Sequence, residues 1–377
     1  MKIGVLTYYG DLNFGTNLQA YSTLQVVRKV FPNDAVEIVP FHSFRNDIKP
    51  YLYCATPISL YRDWVRIRKY AQFVKDMLGV KKDCILFDPQ KGREYIQSRG
   101  YDRIYVGADT LLELDKLMKQ GKDGLTAYWL GPEITAKQYI LAGSSKNAIY
   151  ENLTIRQKQE LQKCVSGYSA ILVRDVSTAR LMSSIVGESH VKLICDPTFT
   201  LDIDYSCIER YLKLRNLNLT NIICIHAWKQ DEHFIAPFAN MLKGAGYKVA
   251  SMRPAKWADI VLNDLGPMEQ AGIFRYFKCH ITHRFHDSVF CFKNNTPVVT
   301  YLPIPDFADA HGNSKYSALF DLFGMREHCL FNDKNSITPQ MLFDKMNEVC
   351  TVWNKESNAR ILGDLNHQYM SLLVGTK

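Results

Sequence analysis

The sequence predicts an α/β protein of two domains, each built on a parallel sheet, facing one another across a cleft. Three observations carry that expectation. Short apolar runs of strand length alternate with apolar residues at helical spacing through most of the chain, the signature of parallel α/β layers. The chain has 377 residues, beyond the roughly 250 to 300 at which a single hydrophobic core stops growing. Polar, chemistry-bearing residues recur just past the ends of the apolar runs, which is where open parallel sheets collect their ligands.

Taken in order, the first strand covers Ile3 to Tyr8 and enters the loop Gly10-Asp11-Leu12-Asn13-Phe14-Gly15-Thr16-Asn17. Leu18, Tyr21, Leu24, Val27 and Phe31 then repeat at helical spacing. A second strand follows at Ala35 to Val39, whereas residues 40 to 100 are aromatic and basic without a clean period. Tyr101 to Asp109 reads as a strand ending in a polar turn, and Tyr139 to Ala142 as another ending at Gly143-Ser144-Ser145. Thr154-Ile155-Arg156-Gln157 has the form of a capping box, in which a hydroxyl and an amide satisfy the free N–H groups of a helix start. The helix it opens runs to about Cys164, and the next strand, Ala170 to Val173, delivers Arg174-Asp175 to its carboxyl end. Val191 to Cys195 makes one more strand, stopped at Asp196-Pro197 because proline cannot continue a central ladder.

The first domain is therefore placed at 1–198, and residues 199–220, which lack a period, read as the interdomain connection. The second domain, 221–338, opens on the strand Asn221 to His226 and continues through Lys248 to Met252, the run ending at Thr282, and Pro297 to Tyr301. Helical stretches lie around Phe234 to Lys243 and Met268 to Phe277. Two more, about 339 to 352 and 355 to 373, form a terminal segment, 339–377, placed to pack back across the junction. The two halves read as Rossmann-like domains whose strand ends, and hence whose ligand, face the cleft.

Composition narrows the class. Hydrophobic residues make up 47% of the chain, with no Gly/Ser tract, Pro-rich run or block of like charge, which excludes long disordered arms. The opening apolar run is too short for a signal peptide, and no stretch approaches the ~20 apolar residues of a membrane-spanning helix. Ten cysteines, among them Cys54, Cys84, Cys164, Cys195 and Cys279, lack CxxC spacing and read as reduced core thiols of a cytoplasmic protein. The net charge of +8 suits an anionic partner. Its densest basic stretch, Tyr61 to Tyr70 followed by Lys75, Lys81 and Lys82, could rest peripherally on the inner face of the membrane or hold a lipid-diphosphate carrier; a solvated helix face with its aromatics in the core is the alternative. No RNA- or DNA-binding signature is present, so nucleic acid is not an expected partner.

The chemistry concentrates in His280-Ile281-Thr282-His283-Arg284-Phe285-His286-Asp287-Ser288-Val289-Phe290. An apolar strand runs into Arg284 and His286 where a helix should begin, a position suited to holding an anion and moving a proton. The Gly10–Asn17 loop sits between a strand and its helix and can hold a ligand, or Asn13 and Asn17 can simply cap the helix. It matches neither GxGxxG nor the Walker loop, so dinucleotide and nucleoside triphosphate binding are unsupported. Arg174 can grip a carboxylate or phosphate, or pair with a neighbouring acid; Asp109 can bind a hydroxyl or close a turn. His226-Ala227-Trp228 offers a sugar-stacking surface at another strand end, with core closure as the alternative for the indole. His42, His190, His311 and His328 fall in no metal-site spacing, and no metal is expected. There is no GxSxG elbow of a Ser-His-Asp hydrolase.

In sequence order, Asn13-Phe14-Gly15-Thr16-Asn17-Leu18-Gln19-Ala20, Val106-Gly107-Ala108-Asp109, Leu172-Val173-Arg174-Asp175, Cys195-Asp196-Pro197-Thr198, Thr282-His283-Arg284-Phe285-His286 and Ser314-Lys315-Tyr316 resemble the polysaccharide pyruvyl transferase family, over about residues 3 to 325. The resemblance implies a glycosyltransferase-B-like pair of Rossmann-like domains that moves the enolpyruvyl carbons of phosphoenolpyruvate onto two hydroxyls of a sugar, leaving a cyclic pyruvate ketal and phosphate. It implies no cofactor, phosphoenolpyruvate being the donor substrate, and an acceptor sugar within a surface polysaccharide or a lipid-linked oligosaccharide precursor. By that likeness His286 is the general acid, Arg284 and Arg174 hold the donor's carboxylate and phosphate, and the first loop with Asn13, Asn17 and Asp109 lines the cleft. Asp196 and Pro197 look architectural. Two other readings use the same scaffold: a nucleotide-sugar glycosyltransferase, and a non-catalytic glycan-binding relative.

Overall fold

The computed structural model describes residues 1–42, 57–80, 84–85, 89–114, 125–146, 148–303, 314–332 and 336–377. Cys54, Lys81, Lys82 and His311 lie outside them. The chain divides into two compact units, Met1–Leu201 together with Leu365–Lys377, and Asp202–Asp364.

In the first unit β1 (Lys2–Leu6), β2 (Ala35–Ile38), β5 (Arg103–Val106), β6 (Lys137–Gly143), β7 (Tyr168–Val173) and β8 (Val191–Leu193) form one parallel sheet. Its order is β2-β1-β5-β6-β7-β8. β3 (Phe41–His42) and β4 (Cys84–Ile85) pair separately. Ile3 stands beside Val36 on one side and Arg103 on the other, and all four residues of β5 are buried. Such apolar runs fit central strands covered on both faces. The covering helices are α1 (Phe14–Val30), α2 (Pro57–Asp76), α3 (Pro89–Ser98), α4 (Ile155–Val165) and α5 (Val176–Val186). α1 is buried nearly all round, including the polar Thr16, Asn17, Gln19, Ser22 and Thr23. Polar groups so placed need partners, and several of theirs belong to the site described below.

α2 carries the basic stretch singled out in the sequence. Ile67, Tyr70, Phe73 and Val74 face the core, while Trp64 and Val65 are exposed beside Arg68. Among the described side chains of this helix, Tyr70 and Phe73 are core and Trp64 is not. Arg66 ties the helix to the first loop by donating from Nη2 to the Leu12 carbonyl at 2.6 Å.

In the second unit the strands are β9 (Ile222–His226), β10 (Lys248–Ser251), β11 (Ile260–Val261), β12 (Cys279–Thr282), β13 (Val298–Pro303) and β14 (Cys329–Asn332). They form a parallel sheet in the order β11-β10-β9-β12-β13-β14. α6 (Tyr205–Leu214), α7 (Glu232–Gly244), α8 (Pro267–Ile273), α9 (Phe285–Lys293), α10 (Lys315–Leu322), α11 (Pro339–Val352) and α12 (Lys355–Val374) complete the chain. Ile223, Ile225, Ile281 and Val299 of the central strands close a core with Phe234, Ile235 and Phe238 of α7 and Leu342, Met346 and Val349 of α11.

Where the sequence suggested a connection over 199–220, the structure changes units at Leu201/Asp202 and folds α6 into the second unit, capped by Asp204 and buried at Ile208 and Tyr211. The last helix is divided between the units: its residues from Leu365 onward belong to the first.

Candidate active site

Each sheet has one place where the chain reverses its direction of strand addition. In the second unit it lies between β9 and β12, in the first between β1 and β5. The carboxyl ends of such strand pairs border a crevice, and the candidate residues gather at both.

In the second unit, Thr282 of β12 stands in register with His226 of β9, so both strands end level. Arg284 is the N-cap of α9, its backbone N–H donating to Thr282 Oγ1 at 3.0 Å. This places Arg284 and His286 at the helix start, among N–H groups that have no intrahelical partner and favour an anion. Both side chains are half-buried.

Asp287, one residue further, turns into the protein and is fully buried. Its Oδ2 accepts from His226 Nδ1 at 2.6 Å, from Thr282 Oγ1 at 3.1 Å and from His280 Nε2 at 3.2 Å. Burial works to raise this carboxyl, but the charge and hydrogen bonding of His226 and His280 outweigh it and hold it well below the usual carboxylate range. An ionised carboxylate can only accept, so the proton of neutral His226 resides on Nδ1. Burial pushes His226 down, Asp287 opposing and Arg284 and His280 reinforcing.

His283 leans the other way. Its Nδ1 donates to the His226 carbonyl at 2.8 Å and its ring lies 4.2 Å from that of Trp228, tilted by 40°. Burial, with His226 and Arg284 adding to it, lowers its pKa to about 3, so it is a neutral spacer and not a proton carrier near pH 7. Tyr316 donates to the His283 carbonyl at 3.2 Å, tying the Ser314-Lys315-Tyr316 motif to this site.

In the first unit, Asn13 caps α1, its Oδ1 accepting from the Gly15 N–H at 3.2 Å. Asn17 is fully buried. Its amide oxygen accepts from Gly10 N at 3.0 Å, and its Nδ2 donates to Asp11 O at 2.7 Å and Asn13 O at 2.9 Å. Both ends of that amide are engaged inside the loop, which Asn17 thereby shapes. Of the two asparagines offered as caps, Asn13 is the N-cap and Asn17 lies within α1.

Asp109 follows β5 through Gly107, whose φ of +143° and close approach to Leu141 O admit no Cβ: one placed there would stand 1.8 Å from that oxygen. The main chain is thereby brought against β6, and Asp109 Oδ2 accepts from Thr16 Oγ1 at 3.1 Å. Arg174, at the end of β7, lies 3.1 Å from Asp196 and 3.5 Å from Asp109, with only 6% of its side chain exposed. Gln19 Nε2 also donates to Asp196 at 2.6 Å, and Thr198 donates to it from N and Oγ1 at 3.0 and 2.7 Å. Arg174 thus pairs with neighbouring acids, as one of its two readings had it. Arg174 and these two carboxylates form one largely buried ion-pair cluster.

Among the described residues, one group has the spacing to hold a metal ion, Glu327, His328 and Glu348, and none of them is part of either cluster above. Among those residues no helix is long and apolar enough to cross a membrane.

Sequence reasoning singled out Arg284, His286, His226 and Trp228 but gave no part to Asp287 or His280. A histidine in the middle of the buried run Cys279 to Thr282 was the available signal, since a polar side chain in a central strand must find a partner.

Two units, each a six-stranded parallel sheet between helices, define the glycosyltransferase-B-like class of α/β proteins. A UDP-GlcNAc 2-epimerase from Neisseria meningitidis, solved with UDP-GlcNAc, shares the fold with a TM-score of 0.54 at 8% identity, over 100% of this chain and 99% of that one. The UDP-GlcNAc 2-epimerase from Methanocaldococcus jannaschii gives 0.51 at 8%, over 97% and 100%. The Escherichia coli ADP-heptose heptosyltransferase II gives 0.44 at 12%, over 93% and 99%. At such identities the likeness to the two epimerases speaks for fold alone. Among curated proteins no significant match is found. The family is settled by sequence: the model of the polysaccharide pyruvyl transferase family matches residues 13–302, and the chain belongs to that family. It is a transferase of polysaccharide biosynthesis, with a sugar as acceptor.

Proposed function

We propose that this transferase moves the enolpyruvyl group of phosphoenolpyruvate onto two hydroxyls of a sugar, in a surface polysaccharide or its lipid-linked precursor, and closes a pyruvate ketal. The observation that carries the reading is the pairing of Arg284 and His286 at the start of α9, at the switch point of the second sheet. Phosphoenolpyruvate is small and densely anionic. A guanidinium offers it both charge and planar donor geometry, and the positive end of the helix dipole adds to the same field. As the sugar oxygen bonds to C2, the methylene carbon must gain a proton, and His286 is the group assigned to deliver it.

The same electrostatics divide the roles. In the Asp109–Arg174–Asp196 cluster the guanidinium already engages two carboxylates, and carboxylates suit hydroxyls, which donate to them. Asp109 is therefore assigned to an acceptor hydroxyl. Arg174, which the family likeness gives to the donor, is assigned to holding Asp109 in place. Trp228, backed by His283, offers an indole face to the sugar. The reaction draws on a cytoplasmic metabolite, and the protein is placed there accordingly.

The test is the melting temperature with phosphoenolpyruvate, inorganic phosphate and a panel of nucleotide sugars. A ligand that binds only the folded state at about 100 times its Kd adds roughly 2.7 kcal/mol, which is several degrees. Phosphoenolpyruvate should give that rise in the wild type and not in Arg284→Ala, and His286→Ala should keep the rise while losing phosphate release. A response to one nucleotide sugar and none to phosphoenolpyruvate would replace this reading with glycosyl transfer.

A further inference from the structure

Ketal formation has a proton balance that one general acid does not meet. Two sugar hydroxyls each give up a proton. Two O–C2 bonds form, the C2–C3 π bond becomes a C–H bond of a methyl group, and the C2–O bond to phosphate breaks with its electron pair leaving on the phosphate. One proton ends on C3 and the other departs with the phosphate. His286 can account for the first. The second needs a base that is neutral and positioned when the second hydroxyl attacks.

The second unit holds such a group. His226 ends β9 level with Thr282, at the same switch point as Arg284 and His286. Its Nδ1–H is fixed on the buried Asp287 carboxylate at 2.6 Å, which leaves the lone pair on Nε2, on the opposite side of the ring. The side chain retains 13% exposure against none for Asp287. Asp287 is itself held from the other side by His280 and Thr282, while its Oδ1 has no hydrogen-bond partner. All three donors converge on the oxygen that faces His226. A carboxylate buried at the cost of desolvation and aimed at one imidazole sets its tautomer and stabilises the imidazolium that forms when it takes a proton. A structural tie between β9, β12 and α9 needs no charge.

Resting on the pyruvyl-transfer reading above, we propose that His226 is the base of the reaction, its Nε2 taking the proton of the second attacking hydroxyl and passing it to the departing phosphate, with Asp287 and His280 as positioning residues. The groups that face His226 are Asp287 and Arg284 from α9 and its cap, and His280 and His283 from β12 and the residue after it. The negative one favours proton uptake; Arg284 and His280 oppose it. Burial leaves the ring neutral near pH 7, as a base must be.

The experiment measures phosphate release from phosphoenolpyruvate with methyl glycosides of galactose, glucose and mannose, in the wild type, His226→Gln and Asp287→Asn, alongside phosphoenolpyruvate-induced stabilisation in each. Wild-type activity should fall on the acid side through a pKa below 6.5, the ordinary value for histidine. His226→Gln should keep the stabilisation and lose phosphate release about 100-fold or more, with partial return on adding free imidazole. Asp287→Asn should lose activity and move the acid limb to still lower pH, because the carboxylate that favours the imidazolium is gone. His226→Gln turning over within threefold of wild type would overturn the assignment while leaving pyruvyl transfer intact. A wild type that neither binds phosphoenolpyruvate nor releases phosphate with any glycoside would overturn both.

Discussion

His283 shows how a residue can sit at a reactive site and have its largest effect on stability. It is 3% exposed, neutral, and has a pKa of about 3 against the ordinary 6.5. Below pH 6.5 the unfolded chain binds a proton that the folded chain refuses, so stability rises with pH and is lost as pH falls from 6.5 toward 3. At about 1.4 kcal/mol per unit this amounts to something on the order of 4 kcal/mol across the window. His283→Gln, which keeps an N–H donor but does not titrate, should lose markedly less stability between pH 6.5 and 4 in urea unfolding; equal slopes for both proteins would refute the account. The residue scale also marks a limit of reading a sequence. Arg284 and His286 are legible because neighbours in the chain and a strand-to-helix junction announce them. Asp287 is not, because the partner that gives it meaning, His226, is 61 residues away, and only the parallel pairing of β9 with β12 brings them together. Arg174 was legible as an end-of-strand arginine, but whether it meets a ligand or Asp196 and Asp109 was decided by residues 22 and more positions distant.

Among the elements, those with a strong local mark were readable and those with a short one were not. The Thr154–Gln157 capping box forms as expected, Gln157 N donating to Thr154 Oγ1 at 3.2 Å and Thr154 N to Gln157 Oε1 at 2.9 Å, and α4 runs over Ile155–Val165. Thr154→Ala removes one half of that exchange on an exposed helix end and should cost about 1 kcal/mol, read as a downward shift of the denaturation midpoint with unchanged slope; no change would mean that water satisfies the freed N–H equally well. α6 is the contrary case. Asp204 caps it and it buries Ile208 and Tyr211 on one face; Tyr205, Ile208, Tyr211 and Leu212 stand at helical spacing, a short signal that the reading of 199–220 as a connection passed over. Its position is set by packing on α8, where a Cβ on Gly272 would come within 2.9 Å of Ile208. Local propensity alone does not predict such a helix.

At the scale of the molecule, alternation of apolar runs and helical patterns was enough to foresee two parallel sheets, because βαβ connections leave few other arrangements. The sequence also suggested that the terminal segment 339–377 packs back across the junction, but not that only its part from Leu365 onward joins the first unit. Leu365, Tyr369 and Leu373 of α12 are buried, two of them completely, and Arg103 of β5 donates to the carbonyls of Thr376 at 2.6 Å and Lys377 at 2.5 Å. Tyr105 adds a hydroxyl contact to Thr376 at 2.9 Å. These carbonyls lie just past the end of α12 at Val374, and the guanidinium that holds them is buried, so removing its partners leaves a charge unpaired. Burying three such side chains is worth roughly 1.5 to 3 kcal/mol each, a sum comparable with the whole stability of an ordinary domain. Deleting residues 365–377 should therefore unfold the first unit and spare the second. Amide hydrogen exchange would show β1, β5 and β6 losing protection while β9, β12 and β13 keep theirs. Tyr369→Ala, a milder lesion costing about 3 to 5 kcal/mol, should weaken protection in the same strands without abolishing it. Uniform loss of protection across both sheets, or none in either, would contradict the assignment of this segment to the first unit. Because the first unit is completed by sequence lying beyond the second, its folding on emergence from the ribosome must wait for the end of α12.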